Sequence, residues 1–150
     1  METAANKRKV TYRLYSLDEQ ALQASTDALA QLAPRLEFDR SDVLRAFVHL
    51  TPEIELEALG ILRSRFERAG GALPPEDNCD IPLTLRLPGK DDGKIKAMAK
   101  RLKARDVSTS EGELVRALAH VKLDWKLFLP KFTAYLTEFP DGRELRWKTP

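Results

Sequence analysis

Two short stretches alternate apolar and polar side chains in the same order: Val10-Thr11-Tyr12-Arg13-Leu14 near the start of the chain, and Leu83-Thr84-Leu85-Arg86-Leu87 past its middle. Alternation with a period of two is typical of a strand that buries one face and exposes the other. One such strand is not stable alone, but two of them paired antiparallel form a ribbon. The pattern predicts a ribbon with one apolar face and one face of threonine and arginine.

The likeness continues in the segments that follow the strands, where residues 42–50 align with residues 113–121. Acid, Arg, Ala and His occupy matching places between matching apolar positions in DVLRAFVHL and ELVRALAHV. The offset is 73 residues between the strands and 71 between these later segments, so the second copy has lost two residues from a turn. We interpret the sequence as an internal duplication of a strand-helix-helix unit.

Length and composition favour one domain with its own hydrophobic core. The chain has 150 residues, and 43% of them are hydrophobic, so neither disulfides nor metals are needed for stability. The formal net charge is only +2, although residues 81–150 carry 15 basic and 9 acidic side chains. A balance this even excludes a bulk polyanion binder, so any contact with nucleic acid is expected to come from local basic patches.

The cysteine content and the hydropathy pattern predict a cytoplasmic protein. Cys79 is the single cysteine, which leaves no disulfide framework and no set of thiolate metal ligands. No stretch resembles a signal peptide, and none approaches the roughly 20 apolar residues that cross a bilayer. We therefore expect no membrane contact, no metal and no cofactor.

Each strand is followed by a first helix. In the first copy this helix is expected to start with Ser16 or Asp18 as its cap and to stop near Pro34, and its counterpart covers residues 95–103. The lysines of the counterpart are expected to form its solvated face, with a DNA-flanking contact as the alternative. The inward stripes are expected to be Ala21, Leu22, Leu29 and Leu32 in one copy, and Ile95, Met98, Ala99 and Leu102 in the other.

A second helix with a polar cap follows in both copies. Asp39 is a suitable N-cap for a helix that starts near residue 40, and Ser110 with Glu113 forms a capping box for a helix that starts near residue 111. His49 and His120 occupy the same position in the two helices. A shared position favours a common packing role for the two histidines over catalysis.

Beyond the duplicated segments, Thr51-Pro52 marks another helix start, and the run of residues 72–80 is rich in proline and acid, which is typical of a linker. The predicted parts are a first unit (7–50), an extra helix and linker (51–80), a second unit (81–122) and a C-terminal extension (123–150). Pro130 is expected to break or restart the last helix, and Pro140-Asp141-Gly142 to form a turn. The last helix carries an aromatic stripe that is expected to be part of the core: Trp125, Phe128, Leu129, Phe132, Leu136 and Phe139.

A strand, a helix and a capped second helix, with Thr and Arg alternating outward on the strand, resemble the ribbon-helix-helix fold of MetJ/Arc-type DNA-binding proteins. The resemblance covers residues 7–50 and 80–122. It implies a mainly α fold with a two-stranded antiparallel β-ribbon. Two chains normally pair in that family; here one chain supplies both strands, so the resemblance implies a tandem pseudo-dimer that is a monomer in solution. The chain departs from the pattern because Lys9 aligns with Pro82 and because the helix of residues 53–69 is additional.

In that family the ribbon enters the DNA major groove, and the N-termini of the second helices hold the flanking phosphates. The resemblance therefore implies double-stranded DNA as the partner. The implied role is that of a transcriptional regulator or of an accessory protein in conjugative or border DNA transfer, where other proteins of a DNA-processing complex are further partners. The implied base contacts are Lys9, Thr11, Arg13, Thr84 and Arg86. The implied phosphate contacts are Lys7, Arg8, Arg40, Ser41, Ser110 and Gly112.

Elementary chemistry supports these roles. Arginine in the major groove offers two donors to guanine O6 and N7, and threonine makes shorter contacts with bases. Backbone N–H groups at the positive end of a helix bind phosphate, although the carboxylate of Glu111 is unfavourable beside one. Because Lys9 has a donor that Pro82 lacks, the half-site under the first strand is expected to be specified at about one more base pair.

Two other classes of function are alternatives to DNA binding. The sequence has no glycine-rich phosphate loop, no metal-spaced cluster and no Ser/His/acid constellation, so an enzyme is not expected. An antitoxin-like module would grip a partner protein with its C-terminal segment, and such segments commonly fold only on binding. Residues 125–139 are too apolar to remain unfolded, and limited proteolysis of the free protein separates the two cases.

Overall fold

The computed structural model describes residues 8–68, 81–87, 89–91, 93–107 and 109–138. Over these residues the fold is mainly helical, with a single two-stranded antiparallel sheet. A short 3₁₀ turn, Gly89–Asp91, links the second strand to the helix after it. In chain order the strands and α-helices are β1 (Arg8–Leu14), α1 (Ser16–Leu32), α2 (Arg40–His49), α3 (Thr51–Arg68), β2 (Ile81–Leu87), α4 (Lys94–Lys103), α5 (Glu111–Leu118) and α6 (Trp125–Glu138).

Several expectations concern residues outside the described ranges. They are the linker of residues 72–80, the contribution of Phe139 to the aromatic stripe, and the turn at Pro140-Asp141-Gly142. Among the described helices, none combines the length and the apolar character that a membrane crossing requires.

The two strands pair in a register centred on Thr11 and Thr84, the residues that align in the two copies of the strand. Arg8 lies opposite Leu87 at one end of the ribbon, the same number of residues from the centre on each strand. The Oγ1 atoms of the two threonines are 2.9 Å apart and share a hydrogen bond. A slip of one residue would turn the buried Leu85 toward water, so the apolar face enforces this register.

The inner face of the ribbon is apolar, as the alternation predicted. Leu14 is buried, and Val10 and Tyr12 are half-buried. The second helices cover this face, with α2 packed against β2 and α5 against β1. Each strand is therefore supported by a helix from the other half of the chain. On β2 the buried side chains are Leu83, Leu85 and Leu87.

The first helix starts at Ser16, but its N-cap residue is Tyr15, so the prediction of Ser16 or Asp18 as the cap was wrong. Asp18 lies at the third helical position, where its Oδ2 accepts a hydrogen bond from the backbone N–H of Tyr15 at 2.9 Å. Leu32 is 39% exposed because it is the last residue of α1 and extends past the core. The inward stripe is otherwise confirmed, with Leu22, Leu29, Ile95, Met98 and Leu102 buried and Ala21 and Ala99 half-buried.

Both second helices start where their caps predicted. Before α2, the carboxylate of Asp39 accepts from the backbone N–H of Asp42 at 3.0 Å, and the carboxylate of Asp42 accepts from the N–H of Asp39 at 3.0 Å. Before α5, Ser110 and Glu113 form the same reciprocal pair at 3.1 and 3.3 Å. Each box satisfies two of the N–H groups that a helix start leaves without intrahelical partners.

A third helix follows the second in both halves, α3 after α2 and α6 after α5. α3 packs against α5, and α6 packs against α2 and α1. α6 thus follows α5 in the order of elements as α3 follows α2. The two helices differ in the kind of side chain that they bury. The fourth residue is Ile54 in α3 and Phe128 in α6, and both are buried.

The aromatic stripe of α6 is part of the core, as predicted. The rings of Phe128 and Phe132 are stacked with centroids 5.9 Å apart, and Phe38 meets Phe132 edge-on at 4.9 Å. Trp125 is half-buried against Phe47. The helix runs through Pro130 without a break, which corrects the expectation of a break or restart. Pro130 is on the exposed side, where loss of its N–H affects only one turn of the helix.

A buried polar cluster lies between α2 and α6. The Nη2 atom of Arg45 is 2.6 Å from Oδ1 of Asp42, and its Nη1 donates to the hydroxyl oxygen of Tyr135 at 3.1 Å. All three residues are at most 3% exposed. Burial raises the pKa of Tyr135 above its ordinary range, so the phenol remains neutral beside the ion pair.

Two histidine–carboxylate bridges join the halves of the chain. His49, at the end of α2, places Nδ1 2.9 Å from Oδ1 of Asp91, which lies just before α4. His120, just after α5, places Nε2 2.7 Å from Oδ1 of Asp18 in α1. Both carboxylates are fully buried. The two histidines therefore share one structural role, and each binds an acid near the start of the first helix in the other half.

We predict that His120→Ala lowers the free energy of unfolding by about 1–3 kcal/mol, because it leaves the buried Asp18 carboxylate without this partner. Urea unfolding monitored by circular dichroism measures the loss. The control is Lys122→Ala, since Lys122 is exposed nearby and its removal should change stability by less than about 0.5 kcal/mol. Equal stability of the two variants would contradict a supporting role for the bridge.

Candidate nucleic-acid interface

The outward face of the ribbon carries the residues predicted to contact bases. The strand pleat directs every second side chain to this face, opposite the leucines that the helices cover. Thr84 is half-buried through its contact with Thr11, and the other five residues are exposed. The face thus brings together the five predicted residues, Lys9, Thr11 and Arg13 from β1 and Thr84 and Arg86 from β2, with Pro82 of β2 beside them.

Cations are distributed unevenly along this face. Lys9 lies directly opposite Arg86, whereas Arg13 lies opposite Pro82. Like charges directly opposite each other on a sheet are destabilising, so an anion at the Lys9–Arg86 end would relieve the repulsion. The expectation placed this extra donor in a half-site under the first strand, whereas the register groups Lys9 with Arg86, at the opposite end of the ribbon from Arg13. The alignment of the copies could not reveal this grouping, which depends on which residues face each other.

The two strand arginines flank the central threonine pair. Arg13 is two residues beyond Thr11, and Arg86 is two residues beyond Thr84 on the opposite strand. With a rise of about 3.4 Å per residue, the two arginine positions are about 13–14 Å apart along the ribbon. Successive nucleotides of one DNA strand advance about 3.4 Å along the helix axis, so this distance equals about four steps. The two guanidinium groups are spaced to reach different base pairs of one short site.

The N-termini of α2 and α5 carry the predicted phosphate contacts. Arg40 and Ser41 are the first two residues of α2, and Glu111 and Gly112 are the first two of α5. An α-helix has no intrahelical acceptor for the N–H groups at these positions, and the helix dipole favours an anion there. The capping boxes use the N–H groups of the N-cap and third residues, so they do not compete for these donors. Ser110 caps α5 through its hydroxyl.

The side chain of Arg40 forms an ion pair within the protein. Its Nη1 is 2.6 Å from Oε2 of Glu19 in α1, and each side chain is about one-third exposed. A phosphate at this helix end would therefore be held mainly by backbone N–H groups. Lys7 and the side chain of Arg8 lie outside the described residues. Glu111 is exposed, so its carboxylate has room to turn toward solvent.

Arg116 is a further cation at this interface that sequence reasoning did not select. Its Nη1 lies 3.4 Å from the carbonyl oxygen of Arg13, and its guanidinium carbon is 5.5 Å from the ring centroid of Tyr15. A Cβ added at Gly112 would be 3.3 Å from the same Nη1, so Arg116 spans from the α5 N-terminus to the end of β1. The repeat aligns Arg116 with the buried Arg45, and this alignment concealed the difference in their surroundings.

Within the described ranges, no group of three or more His, Cys, Asp or Glu side chains is arranged to hold a metal ion. The outward face itself offers hydrogen-bond donors and positive charge, from Lys9, Arg13 and Arg86 and the threonine pair. Comparison of the chain with known protein families, with curated proteins and with solved structures found no match.

Proposed function

We propose that this protein is a tandem ribbon-helix-helix protein that binds double-stranded DNA sequence-specifically. In this proposal both strands of the reading ribbon come from one chain, which folds as a pseudo-dimer. The ribbon enters the major groove with its outward face, and the N-termini of α2 and α5 bind phosphates on either side. The cellular role is transcriptional regulation or the preparation of DNA for transfer by a DNA-processing complex.

The observation that carries the proposal is the register of the ribbon. It is centred on equivalent threonines and puts three exposed cations, Lys9, Arg13 and Arg86, on one face. A two-stranded ribbon has the width that the major groove accepts. The two His–Asp bridges also support a pseudo-dimer, since they link equivalent positions in opposite directions across the chain.

The proposed recognition divides the contacts into two kinds. Arg13 and Arg86 read guanine through O6 and N7, while Thr11 and Thr84 contact the central bases or a thymine methyl group. Backbone donors at Arg40–Ser41 and Glu111–Gly112 position the duplex without reading it. Because both strands are supplied in cis, the free protein is expected to be a monomer of 17.0 kDa.

A partner-binding role for residues 123–150 has less support. Phe128 and Phe132 of α6 are buried against the rest of the protein, with 4% and 0% of their surface exposed. A segment that folds only on a partner would not supply core residues to the free protein. The packing of α6 thus favours a structural role for this helix.

Selection of bound duplexes from a random pool tests the proposal. We expect enrichment of one short motif, with guanines at two positions about four base-pair steps apart. Fluorescence anisotropy should then give an affinity for this motif at least about a thousandfold above that for random duplex at the same salt concentration. No enriched motif, or equal affinity for the motif and for random duplex, would contradict sequence-specific binding.

We further predict that the two halves of the preferred site are specified unequally. The half under Lys9 and Arg86 should contain about one more specified base pair than the half under Arg13, because Pro82 has no donor. A palindrome built from the richer half should bind as tightly as the natural site. A palindrome built from the poorer half should bind about 5- to 100-fold more weakly, through loss of one base contact worth about 1–3 kcal/mol.

The variant Lys9→Ala separates this explanation from others. It should remove the difference between the palindromes while leaving the contacts of Arg13 unchanged. Equal binding of wild-type protein to all three duplexes would rule out the asymmetric reading, although sequence-specific binding itself would stand.

A further inference from the structure

The outer face of α4 is strongly basic. The ten residues of this helix include five cations and no acid. Three of its lysines recur at intervals of four and three residues, so they fall on one side of the helix, and all three are exposed. We call them the lysine stripe: Lys96, Lys100 and Lys103.

The remaining two cations of α4 are already paired. Arg101 lies 2.7 Å from Oε1 of Glu55 in α3. Lys94 lies 2.8 Å from Oδ1 of the buried Asp91 and also donates to the backbone carbonyl of His49 at 3.0 Å. No ion pair in the described part of the chain involves the lysine stripe. The cations that stabilise the fold and those of the stripe are thus separate sets.

The equivalent face of α1 has a different charge. At the offset of 73 residues that relates the strands, the stripe corresponds to Gln23, Asp27 and Ala30. Gln23 and Asp27 are exposed and bonded to each other, with Nε2 of the glutamine 2.8 Å from Oδ1 of the aspartate. The three stripe positions thus carry three positive charges, whereas the three aligned positions in α1 carry one negative charge. Gln23 and Asp27 are exposed as the lysines are, and Ala30 is half-buried, so burial does not account for the difference in charge at the first two positions.

We propose that the lysine stripe binds the phosphate backbone of duplex DNA on one side of the ribbon's site, as a contact present in only one half of the protein. The proposal rests on the proposed function, because it extends the same duplex beyond the bases that the ribbon reads. Lysine is a suitable residue for this purpose, since it acts as a point charge toward phosphate. The contact would make the footprint longer on the α4 side than on the α1 side.

The dimensions of the stripe fit a DNA strand. From Lys96 to Lys103 the helix rises about 10 Å, at 1.5 Å per residue. One strand advances about 3.4 Å per phosphate along the duplex axis, so about three phosphates lie within this length. A membrane surface fits less well, because an interfacial helix needs an exposed apolar face. The large apolar residues of α4, Ile95, Met98 and Leu102, are all buried in the core.

The test combines a salt titration with a footprint. The variant changes all three stripe residues to glutamine, which is about as good a helix former as lysine. We expect the slope of log K against log salt to become shallower by about 2–3, because three phosphate contacts are lost. Affinity should fall about 10- to 100-fold at 0.1 M salt, equally for the selected site and for random duplex. Hydroxyl-radical footprinting should show an asymmetric wild-type footprint that shortens on its longer side in the variant.

The matched control changes Lys122, Lys126 and Lys131 to glutamine, which removes the same charge from exposed positions outside α4. It should leave the slope and the footprint unchanged. An equal loss in both triple variants would reveal a general charge effect and overturn the proposal, as would an unchanged slope in the stripe variant.

Two other outcomes separate this proposal from the proposed function. If the wild-type protein binds the selected duplex through Arg13 and Arg86 but the stripe variant behaves like wild type, only the stripe assignment fails. If the wild-type protein binds no duplex, both fail.

Stripe-dependent binding to vesicles containing 30% phosphatidylserine, with DNA binding unaffected, would overturn the choice of DNA as the anion.

Discussion

Replacement of both Arg13 and Arg86 by alanine is expected to lower affinity for the preferred duplex by about 2–6 kcal/mol, or roughly 30- to 25,000-fold. Each substitution removes a bidentate contact with guanine worth about 1–3 kcal/mol. The two positions are far enough apart for these losses to be nearly additive. Affinity for random duplex should fall much less, so the ratio of specific to random binding narrows. Fluorescence anisotropy titrations on both duplexes at one salt concentration measure this ratio.

The control for the arginine pair is the variant Lys122→Ala and Lys126→Ala, which removes two exposed charges outside the ribbon. It should preserve the ratio of specific to random binding. If the arginine variant weakens both duplexes by the same factor, the two side chains serve only as positive charge, and the ribbon is not the reading element.

The second large effect concerns stability. Arg45→Ala should lower the free energy of unfolding by about 3–5 kcal/mol, because it leaves the buried Asp42 carboxylate without its cation and removes a donor to Tyr135. Arg45→Met should cost less, since methionine refills most of the space left by the long side chain. Urea unfolding monitored by circular dichroism gives both values.

The repeat supplies the matched control for Arg45. Arg116 occupies the equivalent position in α5 but is only half-buried, and its hydrogen bond to the Arg13 carbonyl is long at 3.4 Å. Arg116→Ala should therefore cost about 1 kcal/mol or less. Equal destabilisation by the two substitutions would mean that burial of the Asp42–Arg45 pair is not what makes Arg45 important.

Local chemistry was sufficient to predict much of the fold. The period-two alternation identified both strands, and the Asp39 and Ser110 caps located the starts of α2 and α5. These features depend on residues within a few positions of each other, so a single sequence contains the necessary information. Tyr15 was missed as the N-cap of α1 because it is not one of the usual short polar capping residues.

Contacts between residues that are distant in the sequence could not be predicted from local chemistry. The grouping of Lys9 with Arg86 depends on the strand register, which the buried leucines determine only once both strands are packed. The repeat aligned Arg45 with Arg116, but the two side chains have different surroundings. Tyr135 of α6 accepts a hydrogen bond from Arg45. The similar positions of α3 and α6 in the order of elements were likewise not visible in the sequence, because the side chains of the two helices differ.

The most direct test of DNA reading by the ribbon is a double-mutant cycle across the proposed arginine–guanine contacts. One duplex carries the selected site, and the other carries 7-deazaguanine, which lacks the N7 acceptor, at the two guanines assigned to Arg13 and Arg86. Wild-type protein should bind the modified duplex more weakly by at least about 1 kcal/mol, while the Arg13→Ala, Arg86→Ala variant should bind both duplexes equally. An equal loss for the two proteins, or no loss for wild type, would contradict recognition of the major groove by these arginines.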